Sequence, residues 1–166
     1  MTGGLLLKLD FADAYDMLDW DFIFEILRAR RFGDRWMSWM NICLKGGKSH
    51  ILVTGNPGRI ICSERGLRQG DPLSPPLFVL AADAFTRMLH LAFKNCVLEG
   101  LGHEGFHNKV VSLQYVDETL LFCSSDDRSI MSLKLLLYGF ELASGLKISF
   151  DKSSVIVLSY VAAESS

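Results

Sequence analysis

The order of patterned segments predicts an α+β fold in which an antiparallel sheet packs against helices. Two observations carry that prediction. The segments follow one another as strand, helices, hairpin, helix, second hairpin, helix and strand. If the first hairpin is set aside as an insertion, the remainder is β-α-β-β-α-β, the ferredoxin-like split βαβ plan. The length of 166 residues and 49% hydrophobic content suit a single domain, residues 1–166, with a substantial core.

LLLKLDF (5–11) is apolar except for Lys8 and ends at Asp10, as a buried strand with a carboxylate near its C-terminal end would. Asp19 is placed to cap a helix through Phe22, Ile23, Ile26 and Leu27, and Asp34 to cap the next. In that second helix Trp36, Trp39, Met40, Cys43 and Leu44 form one apolar stripe, with Gly46 as its stop. SHILVTG and RIICSE read as a hairpin turning through Asn56-Pro57-Gly58. GLRQGDPLSPP (66–76) reads as loop, and Ser74 with Pro75 and Pro76 opens a helix to about Lys94. VVSLQY and TLLFCS form a second hairpin around Val116-Asp117-Glu118. Ser125 or Asp126 caps a helix that stops at Gly145, and LKISF and SSVIVLS close the chain as strands.

Composition excludes several classes. The N-terminal segment turns acidic too early for a signal peptide, and the most apolar run, LFVLAADAFTRMLHLAF, is broken by Asp83 and Arg87 and reads as a buried helix. An intracellular protein without a membrane partner is expected, with nucleus and cytoplasm undistinguished. Cys43, Cys62, Cys96 and Cys123 lack C-x-x-C spacing and read as buried apolar residues rather than a zinc site. His103 and His107 are four apart, but the glycines around them favour a loop over a metal site. Net charge is −2, yet residues 1–25 are acidic and residues 28–68 are rich in arginine and lysine. Such an asymmetry suits a metal site beside a polyanion, or simply two solvated helix faces.

Asp117 and Glu118 are adjacent acids within an apolar hairpin, and the split βαβ plan brings that hairpin beside Asp10. Carboxylates gathered at one sheet end repel unless they share a proton, pair with Lys or Arg, or bind divalent cations. Two cations about 3.5–4 Å apart are the arrangement that serves phosphoryl transfer.

KLDFADAYD (8–16), RGLRQGDPLSPPLF (65–78), LQYVDETLLF (113–122) and SGLKISFDKS (144–153) resemble successive motifs of reverse transcriptases. The likeness is to LINE-type, non-LTR retroelements, particularly those of plants, and runs from about Gly4 to Ser159. It implies a polymerase palm, an RNA template, a DNA primer, deoxynucleoside triphosphates and two Mg²⁺ ions, or Mn²⁺. Asp10, the Phe11 carbonyl, Asp117 and Glu118 would then hold metal. Tyr15 would gate the ribose, and Arg68, Gln69 and Gly70 would lie against the incoming nucleotide. Lys152, or its rival Lys147, would protonate the pyrophosphate.

Three departures bear against activity. Tyr-Val-Asp-Glu stands where the family reads aromatic-Ala-Asp-Asp. Glu118 therefore carries its carboxylate roughly 1.5 Å further out, and Val116 adds bulk. Asp13 occupies a place that usually holds lysine. Upstream fingers motifs and a thumb are expected to be absent. Two other readings stay open: a catalytically inactive remnant that at most binds nucleic acid, and another two-metal enzyme such as a nuclease or cyclase.

Overall fold

The computed structural model of the chain describes residues 4–100, 112–115 and 118–158. β1 (Gly4–Ala12) lies at the centre of the main sheet. On one side it pairs antiparallel with β5 (Glu118–Ser124), and β5 pairs with β4 (Ser112–Tyr115). On its other side β1 pairs antiparallel with β7 (Ser154–Leu158) and with the two-residue β6 (Lys147–Ile148). The order β4-β5-β1-β7 is the split βαβ plan expected from the sequence.

Helices cover one face of this sheet. α4 (Ser74–Lys94) leads into β4, and α5 (Asp127–Ser144) connects β5 to β6. Strand alternation sorts the side chains. Leu9, Phe11, Thr119, Leu121 and Cys123 are buried beneath the helices. Leu6, Lys8 and Asp10 of β1 therefore share the other face with their cross-strand partners Phe122, Leu120 and Glu118. Phe85 of α4 is fully buried, its ring centroid 5.9 Å from Phe11 and 4.5 Å from Phe140 of α5. Burying a ring of this size contributes about 2–3 kcal/mol. By sending Phe11 into that cluster, β1 turns Asp10 to the open face.

α1 (Ala14–Met17) and α2 (Trp20–Ala29) follow β1, and the Asp19 carboxylate caps α2 by accepting from the amides of Asp21 and Phe22. Asp126 caps α5 by accepting from the Ser129 amide at 2.8 Å. Hydrogen bonds from the Ser129 hydroxyl first, then from its amide and from the Ser124 hydroxyl, lower the Asp126 pKa to about 2. α4 is long and apolar enough, by length and composition, to cross a membrane. Here it is amphipathic: Leu77, Phe78, Ala81, Phe85 and Leu89 face the core. On its outer side Asp83 pairs with Arg30 and, at 2.6 Å, with Arg87, and the Arg87 hydrogen bond leads in lowering the Asp83 pKa.

Several sequence expectations are corrected. The first hairpin, β2 (Lys48–Val53) and β3 (Asn56–Cys62), turns at Thr54-Gly55, with Asn56 already paired to Val53. Both turn residues have positive φ, 50° and 82°. That two-residue geometry matches the twist of the strands, so the Asn-Pro-Gly signal falls inside β3 instead. α3 (Asp34–Lys45) has Gly33, not Asp34, at its N-cap. Its expected stripe is only partly buried: Met40 and Leu44 are in the core, whereas Trp36, Trp39 and Cys43 are exposed. α3 meets the body along one narrow edge, too narrow to cover the whole stripe. Cys62 and Cys96 are exposed as well, because the β2–β3 hairpin and the turn after α4 project outward, and Cys123 alone is buried.

Candidate functional site

Asp10 and Glu118 stand directly opposite each other on β1 and β5. Both peptide groups of Asp10 point away from β5. Its N–H donates to Ser153 Oγ at 3.1 Å, and its carbonyl accepts from the Ser149 N–H at 2.8 Å. The Asp10–Glu118 pair is therefore of the non-hydrogen-bonded kind, in which opposed side chains lie closest. Two acids so placed need positive charge nearby.

Two lysines supply it. Lys8 Nζ is 2.9 Å from Glu118 Oε1, and Lys152 Nζ is 4.0 Å from Asp10 Oδ1. The Glu118 hydrogen bond and charge raise the Lys8 pKa. The Asp10 side chain is only 13% exposed; Lys152 is its ion-pair partner among the described residues, and the Asp10 charge also acts on Lys8. Lys147 lies instead 4.0 Å from Glu141 Oε2, and Glu141 Oε1 accepts from the Ile148 amide. Of the two candidate lysines, Lys152 is the one at the acidic pair.

The Arg68-Gln69-Gly70 loop is pinned to the segment after β1. The Leu67 N–H donates to the Tyr15 carbonyl, the Gly66 N–H to Leu18, and the indole of Trp20 to the Gly66 carbonyl at 2.7 Å. Gln69 Nε2 reaches Asp16 Oδ2 at 3.5 Å, and Gly70 has φ +85°. The Tyr15 ring stacks on Phe78 of α4, centroids 4.9 Å apart and 12° from parallel. The Arg68 guanidinium lies where a Cβ on Gly47 would be. Arg68, Asp16, Arg65, Asp71, Trp20 and Cys43 line a cavity of about 320 Å³.

Phe11 is buried beside Asp10. Asp117 and Val116 lie outside the described residues, as do His103 and His107. Among the described residues no three acidic, histidine or cysteine side chains converge as a metal cluster. Sequence reasoning assigned no role to Lys8, Ser149, Ser153 or Asp16. Lys8 had a legible signal, since it alternates with Asp10 on one strand. The others had none, because their partners are distant in the chain.

Comparisons with known proteins bear on this arrangement. The family described as "Reverse transcriptase (RNA-dependent DNA polymerase)" matches residues 3–163. The chain is 27% identical to a retrovirus-related Pol polyprotein from type-1 retrotransposable element R2 of Nasonia vitripennis, over 95% of this chain and 14% of that protein. It is 28% identical to the corresponding type-2 element R2DM polyprotein of Drosophila melanogaster, over 87% of this chain and 13% of that one. Its fold is similar to that of apo telomerase from Candida tropicalis, with a TM-score of 0.70 at 13% identity, over 98% of this chain and 32% of that chain. The chain thus spans about one-seventh of the curated relatives it matches. With an Asp-bearing central strand, an acidic hairpin beside it and a family match across nearly its whole length, the chain belongs to the reverse transcriptase family.

Proposed function

We propose that this chain is the palm of an RNA-directed DNA polymerase, carrying out nucleotidyl transfer from a deoxynucleoside triphosphate to a primer 3′-hydroxyl on an RNA template. The observation that carries the reading is the meeting of Asp10, Glu118 and Lys152 at one end of the open sheet face. An uncovered antiparallel face is where a duplex can lie without disturbing the core.

The donor set suits hard divalent cations, which take carboxylate oxygens. Asp10 fits best: its backbone is hydrogen-bonded by Ser153 and Ser149, and among the described residues its carboxylate is ion-paired with Lys152 at 4.0 Å. Asp10, the Phe11 carbonyl and Asp117 would hold Mg²⁺ or Mn²⁺, two ions in our reading, with Glu118 at the margin. The bound ions would offset the charge that develops on the attacking and leaving oxygens.

The chain's own residues do the rest. Lys152, 4.0 Å from the Asp10 carboxylate, would give a proton to the departing pyrophosphate. Tyr15, whose ring is stacked on Phe78, would act as a steric gate against a ribose 2′-hydroxyl. Arg68 contacts a phosphate, while Gln69 and Gly70 form the wall beside the nucleotide. Template pairing selects the base, so positioning and charge carry the catalysis.

One observation favours a second reading, a nucleic-acid-binding remnant without turnover: Lys8 occupies Glu118. Primer extension on an RNA template with Mg²⁺ or Mn²⁺ separates the two. Incorporation that disappears in Asp10→Asn and Asp117→Asn supports the polymerase. Salt-sensitive RNA binding without incorporation supports the remnant.

A further inference from the structure

The partner strand of β1 is interrupted at Asp10. Along β7 the register pairs Lys8 with Ser154, and its continuation would set Asp151 opposite Phe11. Ile148 stands there instead, so three residues are extruded between β6 and β7. The extruded segment closes on itself, the Ser153 N–H donating to the Ser149 carbonyl at 2.9 Å.

This interruption leaves the Asp10 peptide without a strand partner on that side. The Ser153 hydroxyl and the Ser149 amide take the strand's place, at 3.1 and 2.8 Å. Without them an amide and a carbonyl at the sheet end would be unpaired. Lys152, between the two serines, is thereby carried to within 4.0 Å of the Asp10 carboxylate. An extrusion of this kind re-aims a side chain that a regular strand would direct elsewhere.

We propose that Ser153 is a positioning residue: its hydroxyl locks the 149–153 turn onto Asp10, so that the metal-binding carboxylate and the Lys152 ammonium are held as one unit. The proposal rests on the polymerase reading for its purpose, but its physical content is separate. A proton-donating group and a metal-binding group are useful together only if their separation is fixed. Here both depend on the same three hydrogen bonds.

The test uses this chain with Ser153→Ala, the near-isosteric Ser153→Cys, and Ser153→Thr, which keeps the hydroxyl. Amide hydrogen exchange at Asp10 and Mn²⁺ affinity by electron paramagnetic resonance are read first. Loss of one hydrogen bond should speed Asp10 exchange by about fivefold to tenfold in the Ala and Cys variants. Mn²⁺ binding should weaken by about threefold or more, and Ser153→Thr should return both to within about twofold of wild type. In primer extension kcat should fall more than the KM for nucleotide. Unchanged Asp10 exchange in both Ala and Cys variants would overturn the clamp, as would a Thr variant that behaves like Ala. Faster exchange with unaltered Mn²⁺ affinity would overturn the positioning role. If the Ala and Cys variants show the exchange and Mn²⁺ effects while the wild-type chain gives no incorporation, the polymerase reading falls and the clamp stays in place.

Discussion

Lys8 reaches Glu118 across the β1–β5 ladder at 2.9 Å, from a position two residues before Asp10 on the same face of the sheet. The pair is half exposed, so its contribution to stability is small. Its main consequence is electrostatic, because it places a cation beside the carboxylates that would hold metal.

Lys8→Met should therefore tighten Mn²⁺ binding by about threefold to tenfold, since a like charge is removed near the ion. The thermal midpoint should move by no more than about 2 °C. The Lys8 pKa is raised in the folded chain. Whatever the pair adds to stability is whole below the ordinary lysine value and is lost as pH rises through the raised one. Wild type and Lys8→Met should thus converge in stability at strongly alkaline pH, as pH-dependent denaturation would record. Unaltered Mn²⁺ affinity in the variant would sink the electrostatic account.

Gly66 carries φ +83°, and a Cβ there would sit 2.5 Å from the Asp16 carbonyl. Gly66→Ala should destabilise the chain by at least about 2 kcal/mol, from backbone strain and the clash together. Because Gly66 starts the loop that bears Arg68, Gln69 and Gly70, nucleotide affinity should fall with stability. Urea denaturation and nucleotide titration of the same variant check both.

Phe78 is buried and stacks beneath Tyr15. Phe78→Ala should cost about 3 kcal/mol and lower the thermal midpoint by about 6–12 °C. Tyr15→Phe keeps the stack and should leave the midpoint within about 2 °C. If Tyr15 is a ribose gate, Tyr15→Ala in primer extension should admit ribonucleotides far better than Tyr15→Phe does.

Asp126 holds the first turn of α5, and its pKa is lowered to about 2 by the hydrogen bonds of Ser129 and Ser124. A lowered pKa means the contribution is full above the ordinary aspartate value and is lost as pH falls through about 2. Asp126→Asn retains the capping oxygen but cannot gain a proton there. Its stability should fall less steeply than that of wild type between about pH 4 and pH 2. Asp126→Ala loses the cap and should unfold a few degrees lower at neutral pH.

Much of the fold was legible because its signals are local. Asp19 and Asp126 announced their helices by capping them, and the order of elements predicted the antiparallel sheet. The hairpin turn was misplaced because Asn-Pro-Gly is a stronger turn signal than Thr-Gly. The strands nonetheless chose the two-residue turn whose twist suits them. The apolar stripe of α3 was read correctly as a pattern and wrongly as buried, since a helix's periodicity does not say how wide a partner it meets.

The sequence by itself determined that Lys8 and Asp10 could share a face, by alternation along β1, and that Lys152 stands next to Ser153. It also carried the family's motifs in order. Only the tertiary structure decided which acid met which base. The partners of Asp10 lie more than a hundred residues away, and Ser153 is separated from it by 143 positions. Such meetings depend on strand register, and a shift of one residue would turn every side chain to the opposite face. Register here is set by the packing of Phe11, Phe85 and Phe140 beneath the sheet and by the three residues extruded beside it. Neither is a property of any short stretch of chain.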